Sequence, residues 1–61
     1  MANEFIGKVG ENNTGALELH DHNGKLEVIP CGAFDYAMLS PEQVAELMAL
    51  CSKFLATREK E

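Results

Sequence analysis

Asn23-Gly24, set between two stretches of alternating polar and apolar residues, is the feature of this sequence that most restricts its fold. Asn-Gly favours a two-residue type I′ turn, because both central positions of that turn have positive φ, which asparagine and glycine tolerate best. Residues 16–22 and 25–31 are therefore predicted to form a β-hairpin. The two-residue turn places His22 opposite Lys25, and this pair sets the register of the whole hairpin.

The predicted register divides the hairpin into an apolar face and a polar face, since directly opposite residues point to the same side of a sheet. The apolar face, which is expected to be the core side, collects Leu17, Leu19, Leu26 and Val28. The polar face collects Glu18, His20, His22, Lys25, Glu27 and Ile29. Pro30 has no N–H to donate, so we expect it to end the strand or to place it at a sheet edge.

The segments on either side of the hairpin are less regular. Residues 4–9 are predicted to form a first strand, with Phe5 and Val9 on the same side. Residues 10–15, Gly-Glu-Asn-Asn-Thr-Gly, are predicted to be a loop. After the hairpin, residues 33–38 are apolar and aromatic without clean alternation, and they are equally consistent with a short fourth strand or an ordered connector.

The second half of the chain predicts one amphipathic helix from Pro41 to about Thr57. Ser40 is expected to cap it, with Pro41 at the first helical position and Gln43 completing a capping box. At 100° per residue, one apolar stripe is expected to pack on the sheet. The members of this stripe are Val44, Leu47, Met48, Cys51 and Leu55.

Leu50 and Phe54 widen the stripe to an apolar arc of roughly 160°, more than the minimum of about 100° that a helix covering a core needs. A sheet of three or four strands is too narrow to cover it, so Leu47, Leu50 and Phe54 are predicted to form a homo-oligomer interface. Alternatively, Phe54 wraps over the sheet edge and Leu50 is simply exposed. The short length of the chain favours association, because small folds usually need disulfides, a metal or a second copy for extra stability.

Together these elements predict one small α+β domain spanning residues 1–61: a three- or four-stranded antiparallel β-meander with a C-terminal amphipathic helix packed on one face. Cys31 and Cys51 are expected to be free thiols in a cytoplasmic protein, where cysteines stay reduced. The first residues lack the pattern of a secretory signal, and no stretch approaches the roughly 20 apolar residues of a membrane span. No membrane partner is expected.

His20-Asp21-His22 is the cluster that most suggests chemistry. Residues two apart on a strand point the same way, so both imidazoles would project together. A zinc site needs three or four protein ligands, and no Cys-x-x-Cys or His-Glu-x-x-His motif completes it, although Glu18 and Glu27 share the face. We therefore predict no metal and no cofactor, with a metal-binding module or metal-dependent enzyme built on these histidines as an alternative.

No catalytic residue is predicted. Cys51 lies on the apolar stripe, where a thiol is a small core residue, and Cys31 has no base assigned to it. The acidic residues are scattered, and none is expected to be desolvated enough to act as an acid at neutral pH. The chain is therefore predicted not to be an enzyme.

The net charge of −5, from ten acidic and five basic residues, disfavours direct nucleic-acid binding and could steer the chain to a basic surface. We predict a small acidic, non-catalytic binding or regulatory protein that acts as a homo-oligomer, an inhibitor or adaptor of another macromolecule of the kind encoded by viruses and mobile elements. The alternative is an oligomer that sequesters a small molecule at a subunit interface. The residues expected to bind a partner or ligand are Glu18, His20, His22, Glu27, Phe34 and Tyr36.

Overall fold

A computed structural model describes residues 3–59, without the side chains of Arg58 and Glu59. Within this range three strands precede one helix. The strands are β1 (Asn3–Glu11), β2 (Gly15–His22) and β3 (Lys25–Cys31), and the helix is α1 (Pro41–Glu59). The strands form one open antiparallel sheet in the order β1-β2-β3. The predicted α+β arrangement is confirmed with three strands, since residues 33–38 form a connector and not a fourth strand.

The hairpin of β2 and β3 has the predicted turn and register. Asn23 has φ 57° and Gly24 has φ 86°, as a type I′ turn requires. The Gly24 N–H donates to Asp21 Oδ1 at 3.0 Å, which ties the turn to the end of β2. His22 pairs with Lys25, and the predicted pairs follow from there to the far end of the hairpin. The turn length alone therefore fixes which side chains share a face.

The strands β1 and β2 extend further into the predicted loop than the sequence suggests. Glu11 pairs with Gly15, and the Thr14 N–H donates to the Glu11 carbonyl oxygen at 3.2 Å, so the loop is only three residues long. Gly10 and Gly15 have φ values of 99° and 91°, in a region that other residues rarely adopt. The two glycines thus allow a tight reversal where a longer loop was predicted.

A β-bulge at Ile6 changes which side chains of β1 point to each face of the sheet. Phe5 pairs with His20, but Gly7 pairs with Leu19, so Ile6 is an extra residue on β1. The prediction that Phe5 shares a face with Val9 is therefore wrong. Phe5 lies on the polar face instead, 57% exposed, with its ring edge-on to the His20 imidazole at a centroid distance of 5.4 Å.

The connector between β3 and α1 crosses the loop that joins β1 to β2. The Ala33 N–H donates to the Asn12 carbonyl oxygen at 3.1 Å, and the Met38 N–H donates to the Thr14 carbonyl oxygen at 3.0 Å. Any side chain at Gly15 would collide with the Tyr36 carbonyl group. The connector is thus held at both ends, and it carries the chain to the start of the helix.

The predicted capping box is present at the start of α1. The Ser40 N–H donates to Gln43 Oε1 at 2.9 Å, and the Gln43 N–H donates to Ser40 Oγ at 3.2 Å. From there the helix runs antiparallel to β1. Leu39 lies near Gly10, and Leu50 lies against Gly7, closer to the start of β1.

The face of α1 that meets the sheet differs from the prediction. A Cβ at Gly7 would lie 2.6 Å from Leu50 Cδ2, so Leu50 packs directly on β1. Leu47 and Phe54 are half-buried, as Leu50 is. Leu50 therefore covers β1 and does not lie on an uncovered flank. The oligomer interface predicted for Leu47, Leu50 and Phe54 stays a prediction. Among the described helix residues, the large apolar side chains that stay exposed are Val44, Met48 and Leu55, three members of the stripe expected to cover the sheet.

The buried core is very small. Among residues 3–57, whose burial the structure describes, only Val9, Gly15, Ala16 and Leu19 are buried. The described chain measures 37 × 22 × 11 Å, and its radius of gyration of 11.9 Å exceeds the roughly 10.5 Å expected for a compact chain of this length. The molecule is a thin, elongated plate with much of its apolar surface uncovered.

Candidate functional site

Part of the apolar face of the sheet is left uncovered beside the helix, and we call this uncovered strip the open groove. Helix α1 packs along β1, at one edge, and does not lie across the sheet. Leu19 on the central strand is fully buried, whereas Val28, beside it on β3, is 48% exposed. The open groove is defined by the exposed helix residues Val44, Met48 and Leu55 on one side and by Leu26 and Val28 on the other.

The burial pattern around α1 gives the direction in which its exposed flank points. Viewed along the helix, Leu47 and Cys51 lie on one side of Leu50 and are half-buried, while Lys53 and Thr57 lie on the other side and are exposed. The sheet therefore extends beneath the Leu47 side, toward β2 and β3.

The exposed apolar residues Val44, Met48 and Leu55 lie further round the helix on that same side. The apolar flank of the helix consequently points toward β3 and forms a wall of the groove.

The groove has the width of one helix. Neighbouring strands lie about 4.8 Å apart, so β3 is roughly 9.6 Å to the side of β1, above which α1 packs. Packed helices have interaxial distances of about 8–10 Å. A second helix placed beside α1 would therefore cover β3 and contact the exposed flank at the same time.

Of the predicted binding residues on the polar face, Glu18, His20 and Glu27 lie together, and His22 lies apart from them at the turn. The His20 Nε2 atom lies 3.1 Å from Glu18 Oε1, and the His20 side chain is 17% exposed. His22 is exposed, and its Nδ1 atom lies 3.4 Å from Asn3 Oδ1. Glu27 faces His20 from the next strand and is exposed.

The structure places no third metal ligand beside His20 and His22 within the described residues. Within the described residues, no group of three or more histidine, cysteine, aspartate or glutamate side chains could hold a metal ion. Both cysteines are free and half-buried.

Phe34 and Tyr36, the other predicted binding residues, lie at the opposite end of the sheet from His22. Their connector contacts Gly15, the first residue of β2, and His22 is the last, roughly 23 Å away along the strand. The two rings stack on each other, with centroids 5.1 Å apart and planes inclined by 15°. They therefore form a surface separate from the histidines.

A small cleft lies where the bulge of β1 meets the end of α1. Its volume is about 180 Å³, below the roughly 300–1,000 Å³ of small-molecule pockets. It contains none of the predicted binding residues; the residues that line it are Glu4, Phe5, Ile6, Asp21, Lys53, Phe54 and Thr57. The cleft was missed because its shape depends on the bulge, for which the sequence has no local signal.

In residues 3–59, no helix combines the length and the apolar character needed to cross a membrane. Comparison with protein-family models, with curated proteins and with solved structures found no match to this chain. Within the described residues, the open groove and the stacked pair of Phe34 and Tyr36 are two surfaces that expose large apolar side chains.

Proposed function

We propose that this protein is a non-catalytic protein-binding module that acts as a homodimer, with α1 of each copy lying in the open groove of the other. The observation that carries the proposal is the uncovered apolar wall formed by Val44, Met48 and Leu55 beside Val28 on β3. A monomer would leave this surface in water, whereas a second helix would bury it.

The exposed side chains of the groove are large enough to form part of the apolar centre of a small interface. Its four most exposed large side chains are between 42% and 65% exposed and together present on the order of 200 Å² of apolar surface. Specific interfaces begin near 600 Å² per partner, of which roughly 60% is apolar. The groove therefore supplies part of the apolar surface that a dimer at the lower end of this range needs.

A second copy of the chain is the occupant that best fits the groove. Helix α1 itself has an exposed apolar flank, and its 19 residues span about 28 Å, enough to cover the seven residues of β3. The outward side of the helix carries the small exposed residues Ala45, Ala49 and Ala56, which let it approach a second sheet closely. A two-fold arrangement would fill both grooves with the same contacts.

The dimer would leave other surfaces free to bind a further macromolecule. Phe34, Tyr36 and Met38 on the connector are 42–66% exposed and lie outside the groove. With a net charge of −5, the chain would be steered toward a basic partner. The role that best fits these features is that of an inhibitor or adaptor which docks on another protein.

A charge placed in the groove tests the proposal. Met48→Glu puts a carboxylate in the centre of the proposed interface, and we expect it to weaken dimerisation about 100-fold. Lys53→Gln is the matched control, because it makes the same change in net charge on the opposite side of α1. Sedimentation velocity over a range of concentrations would compare the two variants, with circular dichroism to verify that both are folded. Equal dimerisation of the two variants would contradict the proposal.

A further inference from the structure

The stacked pair of Phe34 and Tyr36 is an unusual exposed feature. Large aromatic side chains are normally buried, but these are 42% and 52% exposed. They cover each other on only one ring face, so the outer face of at least one ring is open to a partner. Asp35, between them in the sequence, is exposed as well. We call these three residues the aromatic platform.

The structure holds the aromatic platform in place before any partner binds. Backbone hydrogen bonds from Ala33 to Asn12 and from Met38 to Thr14 fix the connector just before and just after it. The Tyr36 carbonyl group also lies directly against Gly15. Because the platform is already ordered, binding to it would lose little conformational entropy.

We infer that the aromatic platform binds an arginine side chain in a basic segment of a partner protein, an inference that rests on the proposed protein-binding function. A guanidinium is planar, weakly hydrated and stacks on aromatic rings. Asp35, which is exposed and lies between Phe34 and Tyr36 in the sequence, adds a negative charge to the same short segment. Residues 32–40 contain no lysine or arginine, so no cation of the connector competes. Lysine would bind more weakly because its ammonium is strongly hydrated.

Single-stranded nucleic acid is the other ligand that stacks on exposed aromatic rings. Proteins that bind it combine such rings with a positively charged groove along the phosphates. This chain has twice as many acidic as basic residues, and the platform itself carries an aspartate. The negative net charge therefore favours a cationic partner over a nucleic acid. An oligonucleotide is included in the test below to detect nucleic-acid binding.

The intrinsic fluorescence of the protein reports directly on the platform, because Tyr36 is its only tyrosine and it has no tryptophan. The full chain would be titrated with hexa-arginine, hexa-lysine and oligothymidine at the same ionic strength. We expect hexa-arginine to change the Tyr36 emission and to bind about threefold more tightly than hexa-lysine. Equal binding of the two peptides, or tighter binding of oligothymidine, would overturn the inference.

Two variants locate the binding, with calorimetry as the measurement. Phe34→Ala and Asp35→Asn should each weaken hexa-arginine binding about threefold. Glu42→Gln removes the same charge as Asp35→Asn from an exposed position outside the platform and should leave the affinity nearly unchanged. Equal effects of Asp35→Asn and Glu42→Gln would reduce the interaction to non-specific charge attraction and refute the site.

Sedimentation of the same samples separates this inference from the proposed dimer. Phe34→Ala should remain as dimeric as the wild type while it loses arginine affinity. A wild-type monomer that still prefers arginine would refute the dimer and retain the platform. A dimer without that preference would refute the platform alone.

Discussion

The contact between Gly7 and Leu50 seats the helix on the sheet. With no side chain at Gly7, the Leu50 methyl groups reach the β1 backbone, and a Cβ there would lie 2.6 Å and 2.9 Å from the two of them. The contact also explains why Leu50, and not Met48, is turned toward the sheet. A single small residue on a strand thus selects which part of a wide apolar arc is covered.

Gly7→Val should destabilise the protein, because the added methyl groups overlap Leu50. We expect a loss of about 2 kcal/mol in the free energy of unfolding, measured by urea denaturation at one fixed protein concentration. In a Leu50→Ala background, Gly7→Val should change the free energy of unfolding by less than about 0.5 kcal/mol, because the Leu50 methyl groups that it would overlap are gone. The same loss in both backgrounds would show that the two side chains do not meet.

At the scale of single residues, the turn glycines were predictable and the bulge was not. Asn23 and Gly24 have positive φ because the turn type requires it, and that requirement can be read from the residue types. Nothing about Ile6 as a residue marks it as the extra one in β1. The bulge follows from the pairing of the whole strand, so the position of Phe5 on the polar face could not be foreseen.

The helix start is the element for which sequence and structure agree most fully. Ser40→Ala removes the hydroxyl that accepts the Gln43 N–H, and we expect a loss of about 1 kcal/mol in stability. Ser52→Ala, an exposed position in the middle of α1, is the control and should be neutral or slightly stabilising. Chemical denaturation would compare the two, and equal effects would mean that the cap contributes nothing.

Helix periodicity identified the apolar arc of α1 but not the part that meets the sheet. An arc of roughly 160° can be turned in more than one way toward a narrow sheet, and only the partner strand decides between them. Here the absence of a side chain at Gly7 favours the Leu50 end of the arc. The sequence therefore predicted that the arc is wider than the sheet can cover, but not that the exposed part would be Val44, Met48 and Leu55.

As a whole, the molecule has an incomplete second layer. One helix covers one edge of a three-stranded sheet, and only four residues of the 3–57 range are buried. A chain of this size has little stability in reserve. The uncovered part of the sheet is the reason to expect a second copy. The short length of the chain and the wide apolar arc of the helix had already predicted self-association.

If folding and association are coupled, stability should depend on concentration. A ligand that binds only the folded state raises the melting temperature as its concentration rises, and a partner subunit acts in the same way. We expect the thermal midpoint of the wild type to rise by several degrees for each hundredfold increase in protein concentration. Met48→Glu should lower the midpoint and remove most of this dependence, as scanning calorimetry would reveal.

The central claim, that a second copy fills the open groove, is tested most directly by sedimentation equilibrium of the unmodified chain at micromolar concentration. The account predicts a mass of twice the 6.7 kDa of one chain, with dissociation on dilution. A mass of 6.7 kDa across the whole concentration range would contradict it, and the exposed flank of Val44, Met48 and Leu55 would then need another explanation.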